Sequence, residues 1–392
     1  MRFAYLFERF PTFTQTFCVR EVRAVRGLCG DVPVYSIRRP TGEPEQDFPD
    51  EVRADVTDLP DDIEEALGSE PAGLGTRVRR RWALWRLREE KDRKRVYEAL
   101  WLGPLLRARG IGHVHVHFAG LAARTAWWLK KEYGITFSVT AHANDFFVGA
   151  NDKSPVQLAD IFREAKFVAT VSDFSRRLLA ERFPFAADRI LRIYNGIEME
   201  RFAGPREPVD PPLVLAVGRY IEKKGFRYLV EACSRVPEQP LRCVIVGGGP
   251  LDAELRELVA KLGQEVRVEI AGPMPERDII ALLRKASVFV LPCVRDAKGD
   301  SDNLPTVIME AMAAGVPCIS TPVAGVPEMI ADGATGFLVP EADPQALANR
   351  LSELLADRER ASAMGEAGRA LCAQRFAIGV TSAQLAERLR HV

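Results

Sequence analysis

A short segment in the second half of the chain carries the strongest chemical signal. Residues 302–310 read DNLPTVIME, and proline favours the first turn of a helix, so a helix is predicted to begin near Pro305. The free N–H groups and the dipole of such a helix end favour an anion such as a diphosphate. Five residues at about 1.5 Å each place Glu310 about 7.5 Å further along the axis. Its carboxylate could there accept hydrogen bonds from both hydroxyls of a ribose.

Basic side chains are expected close to the same helix start. Residues 218–225 read GRYIEKKG and follow an apolar strand predicted at 213–217, so they lie at its carboxyl end. Arg219 can form paired hydrogen bonds with phosphate oxygens, and Lys224 supplies a point charge. Because the sequence shows no metal-ligand cluster here, these cations are predicted to neutralise a diphosphate without a metal. The alternative is an exposed pair that only aids solubility.

A glycine turn follows the next predicted strand. Residues 246–250 read VGGGP, which departs from the GxGxxG dinucleotide fingerprint because Gly249 is followed by Pro250. The missing fingerprint disfavours a NAD-dependent oxidoreductase. We interpret the glycines as a close approach of the backbone to a nucleotide or to the sheet.

Polar residues in the first half also follow predicted strands. Residues 140–147 read TAHANDFF and leave the carboxyl end of a strand predicted at 136–140, so His142 and Asp145 are expected to face a cleft. A hydrogen-bonded structural histidine is the alternative. The loop FPTFTQTF at 10–17 joins the first strand to the first helix, where Thr14 or Thr16 could contact an acceptor or simply cap the helix.

Three histidines, His113, His115 and His117, alternate along one face of a predicted strand. Three imidazoles on one side could bind zinc. The sequence offers no clear fourth ligand or carboxylate partner, which an open catalytic site would need. Hydrogen bonding to neighbours, or lining of the cleft, is therefore the favoured interpretation, and no metal site is predicted.

Short apolar strands alternate with helical patterns along the whole chain, as in parallel sheets with crossover helices. Helices are predicted at about 16–27 and 119–133. The proline-rich stretch 204–212 reads GPREPVDPP and is interpreted as a linker between two doubly wound domains. Such domains in tandem place a cleft between the carboxyl ends of their strands. The predicted strands lie at 2–7, 32–37, 113–118, 136–140, 167–171 and 190–193 before the linker, and at 213–217, 242–246, 266–271, 288–291, 317–320 and 337–339 after it.

Composition limits the class of protein. A length of 392 residues suits two α/β domains, and 54 basic residues balance 54 acidic ones, which disfavours a nucleic-acid partner. The seven scattered cysteines form no CxxC pair and are expected to be buried, reduced thiols. No run approaches the roughly 20 apolar residues of a membrane span, and the apolar start is too short for a signal peptide. The protein is therefore predicted to be cytoplasmic.

One charged segment has two interpretations. Residues 55–70 are acidic, whereas residues 77–95 are strongly basic with tryptophans interleaved. The basic segment could form an interfacial helix that touches anionic lipid at the inner face of the cell membrane. Alternatively it covers the first domain, with its tryptophans in the core and its charges paired with the acidic stretch.

Taken together, these motifs resemble the retaining GT-B glycosyltransferases of family GT4, closest to the subgroup that makes exopolysaccharides of the colanic-acid type. The resemblance covers essentially the whole chain. Its most specific element is the acidic-x7-Glu pair, Asp302 and Glu310. The other matching segments are FPTFTQTF at 10–17, HAND at 142–145, NGI at 195–197, GRYIEKKG at 218–225 and GGGP at 247–250.

The resemblance implies a role for each matching residue. Glu310 would hold the nucleotide ribose, Asp302 the donor sugar, and Arg219 with Lys224 the diphosphate, while His142 would lie near the reacting carbon. The full implied sets are catalytic His142, Arg219, Lys224 and Asp302; donor-binding Gly218, Gly248, Asn303, Leu304, Thr306 and Glu310; and acceptor-side Thr14, Thr16 and Asp145. No cofactor and no metal are implied.

The resemblance also implies an architecture and a reaction. Residues 1–204 would form an acceptor-binding Rossmann-like domain, joined by a C-terminal helix at 376–392, and residues 205–375 the nucleotide-sugar-binding domain. The enzyme, a hexosyltransferase of EC class 2.4, would move a hexose from a UDP- or GDP-sugar to a glycan or lipid-linked acceptor in polysaccharide biosynthesis. The alternatives are a nucleotide-sugar epimerase and a non-catalytic nucleotide-sugar-binding protein. The family usually has glutamate where this chain has Asp302, so the donor sugar could sit differently.

Overall fold

The structure, a computed structural model, describes residues 2–12, 15–41, 52–53, 55–69, 82, 85, 91–148, 155–236 and 240–392. Within these residues the chain forms two parallel β-sheets, one of seven strands and one of six. The predicted α/β class with two Rossmann-like sheets is therefore confirmed.

The first sheet has the strand order β3-β2-β1-β4-β5-β6-β7, so the chain changes direction across the sheet between β1 and β4. Ligands bind at such a switch point, beyond the carboxyl ends of the strands. The strands are β1 Arg2–Arg9, β2 Val34–Arg38, β3 Val56–Asp58, β4 Ile111–His117, β5 Thr136–Ala141, β6 Val168–Thr170 and β7 Ile190–Arg192. The α-helices described in this half of the chain are α1 Thr16–Cys29, α2 Ile63–Ser69, α3 Arg93–Ala108, α4 Leu121–Tyr133, α5 Leu158–Glu164, α6 Asp173–Arg182 and, after β7, α7 Met199–Phe202.

The second sheet repeats this plan in the order β10-β9-β8-β11-β12-β13, with its switch point between β8 and β11. Its strands are β8 Leu213–Val217, β9 Arg242–Val246, β10 Val268–Ile270, β11 Ala286–Leu291, β12 Cys318–Ser320 and β13 Gly336–Leu338. The remaining helices are α8 Phe226–Arg235, α9 Asp252–Lys261, α10 Glu276–Lys285, α11 Thr306–Ala313, α12 Pro344–Ala356, α13 Arg358–Phe376 and α14 Ile378–Arg390.

The apolar pattern of each element explains its place. All five residues of β8 are buried, as expected for an apolar run covered on both faces. Helix α8 buries Phe226, Leu229, Val230 and Cys233, which recur every three or four residues and form one face. Each large apolar side chain buried in this way contributes about 1.5–3 kcal/mol.

Strand β3 was not predicted from the sequence. It is only three residues long and reads VTD, and it pairs in parallel with β2 at the edge of the first sheet. A short edge strand with two polar residues has no apolar run to reveal it.

The last helix, α14, lies on the first half of the chain. Leu385 and Leu389 share a core cluster with Val19, Val22 and Val25 of α1. The backbone of 376–378 also pairs with Ile197, since each chain segment donates one N–H to the other at 2.8 Å. The domain boundaries at 204 and 375 remain a prediction.

Most of the basic segment 77–95 lies outside the described residues. Trp82 and Trp85 are described, and they are 56% and 63% exposed. Their exposure contradicts the alternative that places these two tryptophans in the core. Charge pairing with the acidic stretch does occur at Arg93, whose guanidinium lies 3.0 Å from a carboxylate oxygen of Glu64.

The cysteines follow the sequence-based expectation. All seven are free thiols, and six of them are buried, with Cys29 half-buried. Among the described residues, no helix combines the length and the apolar character needed to cross a bilayer.

Candidate active site

A cavity of about 300 Å³ lies between the carboxyl ends of the two sheets. Its first wall comes from the loops that follow β4, β5, β6 and β7 and from the start of α1. Its second wall comes from the loop after β8 and the start of α11. The lining residues are Gln15, Phe17, Phe118, His142, Ala143, Val171, Asn195, Arg219, Lys223, Lys224, Asp302, Asn303, Leu304, Pro305 and Thr306.

Helix α11 begins at Thr306, directly after Pro305, so the predicted helix start is confirmed. No side chain caps this end of the helix. Its first backbone N–H groups have no partners within the helix and carry the positive end of the dipole. Because Asn303, Leu304 and Thr306 line the cavity, this helix end is open to an anion there.

Three cations lie on the same wall. Lys224 forms a direct ion pair with Asp302, and Lys223 lies 2.8 Å from Asp300 and 3.8 Å from Asp302. The guanidinium of Arg219 forms no ion pair with any residue that the structure describes. The group thus holds one more positive charge than negative charge, which favours a bound anion.

The charge states of this group follow from its contacts. Burial opposes ionisation of Asp302, but the ammonium groups of Lys224 and Lys223 outweigh it and lower the pKa of that carboxyl. Burial likewise opposes the charge on Lys224, yet Asp302 raises its pKa. Both partners are therefore ionised at neutral pH.

The glycine turns at 218 and 247–249 pack against each other. A Cβ on Gly247 would come within 1.9 Å of the carbonyl oxygen of Gly218, and the φ of Gly247 is 152°. The N–H of Tyr220 also donates to the carbonyl of Gly248 at 2.8 Å. The glycines thus allow a close approach of the backbone, as predicted, and the approach is between these two turns. It fixes the position of the loop that carries Arg219. Neither Gly218 nor Gly248 is among the residues that line the cavity.

Glu310 lies one turn behind the cavity wall and is 7% exposed. Its carboxylate accepts a hydrogen bond of 3.2 Å from Arg20, which α1 of the first half contributes. Arg20 also pairs with Glu276 at the start of α10, and Arg201 pairs with the same Glu276. Burial raises the pKa of Glu310, against the opposing effect of Arg20. Glu310 is thus part of an ionic contact between the two halves of the chain.

His142 follows β5 and lines the cavity, as predicted. Its ring packs against Phe118 at 4.4 Å and Phe17 at 5.1 Å between ring centroids. Asp145 does not line the cavity. Its carboxylate turns back and accepts the N–H of His142 at 2.8 Å, which fixes the turn, and burial raises the pKa of Asp145 to about 6.

Neither of the two predicted acceptor-side threonines is described as lining the cavity. Thr14 lies outside the described residues. Thr16 is the first residue of α1, and its neighbours Gln15 and Phe17 line the cavity instead.

Two of the three histidines of β4, His113 and His115, form a hydrogen-bonded ladder with β5. His113 contacts Thr136 and Ser138, and His115 contacts Ser138 and Thr140, at 2.7–3.0 Å. The strand register, in which His113 pairs with Thr136 and His115 with Ser138, brings these groups together. This arrangement agrees with the interpretation that the histidines bond to their neighbours.

Polar contacts join the two walls beneath the cavity. The hydroxyls of Ser172 and Ser175 donate to the side-chain oxygen of Asn303 at 2.6 and 2.7 Å. Glu328 accepts the N–H groups of Asp173 and Phe174 at 2.8 Å each, at the start of α6. A carboxylate at a helix start is stabilising. These contacts hold the loop that carries Asp302 and Asn303 against the first half of the chain.

Sequence reasoning missed several of these residues. Lys223 is more buried than Lys224, and only the 3-10 turn at 222–224 shows that both face the acidic loop. Phe118 has a φ of 67°, which is unusual for a bulky residue and frequent near functional sites. Arg20 is 290 positions from Glu310, so no local pattern reveals that pair.

Comparison with known proteins agrees with this arrangement. Residues 198–371 match the family described as glycosyl transferases group 1, and residues 44–201 match glycosyltransferase family 4. The amylovoran biosynthesis glycosyltransferase AmsK of Erwinia amylovora is 32% identical over 285 residues, which cover 71% of this chain and 69% of AmsK. The chain therefore belongs to the group 1/GT4 family of glycosyltransferases.

Two further likenesses bear on the fold and the family. WcaL of Escherichia coli (strain K12), named as a candidate colanic acid biosynthesis glycosyltransferase, is 37% identical over 197 residues. That match spans about half of each protein, 49% of this chain and 48% of WcaL. Anabaena Alr3699/HepE, whose structure contains UDP and glucose, superposes with a TM-score of 0.74 at 17% identity and 100% coverage of both chains. The fold is thus the GT-B arrangement.

Proposed function

We propose that this protein is a retaining hexosyltransferase of exopolysaccharide biosynthesis, which moves a hexose from a nucleotide-diphosphate sugar to a glycan or lipid-linked acceptor. The observation that carries the proposal is the uncapped start of α11, which opens into the cavity beside Arg219, Lys223 and Lys224. A helix end with three cations matches a diphosphate, the charged part of such a donor. The UDP in the HepE structure supports the same donor class, and the family relation to AmsK supports the transfer of a sugar.

The proposed donor lies along α11. Its diphosphate contacts the helix start, Arg219 and Lys224, and its ribose reaches Glu310 one turn further on. The hexose then points towards Asp302 and His142, which line the same cavity from opposite walls. For the ribose to reach Glu310, Arg20 must share or leave that carboxylate.

The proposed reaction is a front-face displacement. An acceptor hydroxyl attacks the anomeric carbon on the side from which the diphosphate leaves, and the bond from that carbon to the phosphate oxygen breaks. The electron pair goes to the diphosphate, and one of its oxygens takes the proton of the acceptor. Arg219 and Lys224 stabilise the charge that develops on the leaving group, which is where electrostatic stabilisation is most effective. The proposal includes no metal ion and no cofactor.

A donor screen tests this proposal. We expect one UDP-, GDP- or ADP-sugar to raise the melting temperature of the protein, since a ligand that binds only the folded state stabilises it. At 100 times the Kd the gain is about 2.7 kcal/mol. Transfer from that donor to a lipid-linked saccharide should persist in EDTA.

Each possible result of the screen supports or contradicts a particular function. Transfer that stops in EDTA and returns with a divalent ion contradicts the metal-free proposal. Conversion of the donor without any acceptor identifies an epimerase. Donor binding without either reaction identifies a binding protein. If no nucleotide sugar changes the melting temperature, the proposed function is contradicted.

We also propose that the protein acts in the cytoplasm, at the inner face of the membrane, through its basic segment 77–95. The exposure of Trp82 and Trp85 supports this proposal, since an interfacial helix needs aromatic side chains that reach the lipid. The segment reads RVRRRWALWRLREEKDRKR, which adds the positive charge that anionic lipid attracts.

Neutralising Arg79, Arg80 and Arg81 with glutamine should weaken co-sedimentation with vesicles of one-third phosphatidylglycerol. Each basic residue near such a surface contributes about 1 kcal/mol, so three should lower the partition coefficient by about 100-fold. The matched control neutralises Arg227, Arg235 and Arg256, which are exposed on the second half of the chain. Equal binding by the two triple variants would show that the segment has no membrane role.

A further inference from the structure

A chain of hydrogen bonds runs from the interior of the first sheet to the cavity. The Nε2 atom of His142 lies 3.2 Å from Nδ1 of His117. On its other side, His117 places Nε2 at 2.8 Å from Oε1 of Glu21. The same carboxylate oxygen accepts the hydroxyl of Tyr5 at 2.9 Å. His142 is thus the only one of these four residues that lines the cavity, among the residues the structure describes.

The geometry restricts where the protons are. An ionised carboxylate only accepts hydrogen bonds, so the Nε2 of His117 that faces Glu21 carries a proton. Two imidazole nitrogens that face each other share a single proton. Either His117 is an imidazolium that donates to Nε2 of His142, or His117 is neutral and accepts from that atom.

The surroundings of His117 favour the first arrangement. The titratable groups around it are Glu21 and Cys18 of α1, Tyr5 of β1, His115 of β4, and His142 and Asp145 beyond β5. Burial disfavours a charge on His117, but Cys18 and the Glu21 carboxylate, whose oxygen lies 2.8 Å from Nε2, raise the pKa of His117 well above its usual value. Burial also raises the pKa of the Cys18 thiol, so the negative charge that faces His117 at neutral pH is that of Glu21. Burial and the facing His117 lower the pKa of His142 well below its usual value.

We propose that Glu21 and His117 are positioning residues that hold His142 as the neutral tautomer with its proton on Nδ1. Nε2 of His142 accepts the hydrogen bond from His117. The N–H at Nδ1 of His142 is then the ring donor that can bind a ligand in the cavity. That donor would bind a hydroxyl of the donor sugar. Only this last step rests on the proposed function, because the proton arrangement follows from contacts within the chain.

A metal ion is the competing occupant. Glu21, His115 and His117 can bring one ligand atom each within 4.8 Å of the others. However, both ring nitrogens of His115 are already bonded, to Ser138 at 2.7 Å and to Thr140 at 3.0 Å. A metal would have to break one of these bonds, whereas the hydrogen-bond chain uses every contact as it stands.

Nitrogen-15 NMR of histidine-labelled protein without substrate tests the proton arrangement. The five histidine rings are assigned with His142→Gln and His117→Gln variants. We expect His142 to show the neutral Nδ1–H tautomer from about pH 6 to pH 8, and His117 to stay doubly protonated over the same range. In Glu21→Gln, we expect the proton between the rings to move from His117 to Nε2 of His142 and the Nδ1 proton of His142 to leave to solvent, so that His117 is neutral and His142 is the Nε2–H tautomer.

The kinetic readout of the same variant separates positioning from structure. For Glu21→Gln we expect kcat to fall about 10- to 100-fold, the effect of one misplaced hydrogen bond, while KM for the donor changes less than about threefold. The control is Ser138→Ala, which removes a contact of His113 and His115 but none of His117. It should leave the tautomer of His142 and kcat unchanged.

Three results would overturn the inference. They are an Nε2–H tautomer of His142 in the unaltered protein, an unchanged spectrum and kcat in Glu21→Gln, and stoichiometric zinc that is lost in Glu21→Gln. The expected tautomers in a protein that transfers no sugar from any donor would support the proton arrangement and overturn the proposed function instead.

Discussion

Replacing Lys224 with alanine should lower kcat for sugar transfer by about 100- to 1000-fold. Removal of one donor that stabilises charge developing in a transition state has an effect of this size, about 3–4 kcal/mol. Lys224 lies at the helix start where the proposed diphosphate leaves, and its ammonium group is kept charged by Asp302. Kinetics with saturating donor measures this effect, because the loss should appear in kcat.

The same substitution also removes the partner of a buried carboxylate. Breaking a buried ion pair on one side costs about 3–5 kcal/mol of stability. The cost should be near the lower limit, because Lys223 remains 3.8 Å from Asp302. Stability and catalysis must therefore be separated. In the double variant Lys224→Met with Asp302→Asn, we expect the melting temperature to recover while transfer stays low.

Lys298→Ala is the matched control for Lys224. Lys298 lies in the same loop as Asp302 but is exposed, and its side chain makes no described contact with the cavity. We expect both its activity and its melting temperature to equal those of the unaltered protein. A folded Lys224→Ala protein that keeps kcat within threefold would disprove the role of Lys224 at the diphosphate.

The sequence predicted the frame of this site well, for identifiable reasons. Strands β8, β9 and β11 are nearly continuous apolar runs, and the structure places them within two residues of the predicted bounds. The start of α11 was predicted because Pro305 is a local signal. Since the carboxyl ends of parallel strands define the cleft, the loops of His142, Arg219 and Asp302 could be assigned to one cavity before their contacts were known.

The side-chain partners could not be predicted in the same way. Whether Asp145 points into the cavity or back to its own backbone depends on the turn, not on its position after β5. Glu21 meets His117 across 96 positions because α1 packs over the sheet with a particular rotation. Helical periodicity identifies the buried face of α1, but it does not specify which strand residue each side chain meets.

Substitution of Glu310 with alanine should nearly abolish transfer by removing the carboxylate that the donor ribose needs. A charged hydrogen-bond acceptor for two hydroxyls contributes about 1.5–3 kcal/mol per bond, so donor affinity should fall by more than 100-fold. The fold should survive, because Arg20 keeps its pair with Glu276 when Glu310 is lost. Arg20→Met removes the ionic contact of Arg20 with Glu276 and Glu310 but keeps Glu310, and it should therefore leave the ribose contact intact.

A nucleotide lacking the ribose hydroxyls distinguishes a ribose contact from a purely structural role of Glu310. The unaltered protein should bind the 2′,3′-dideoxy form of its nucleoside diphosphate about 100-fold more weakly than the natural form, as measured by calorimetry. Glu310→Ala should bind both forms equally, because the group that senses the hydroxyls is gone. Glu366→Ala, an exposed carboxylate of α13, should keep the full discrimination. If Glu310→Ala still prefers the natural nucleotide by 100-fold, the ribose is held elsewhere and the carboxylate of Glu310 serves only the contact with Arg20.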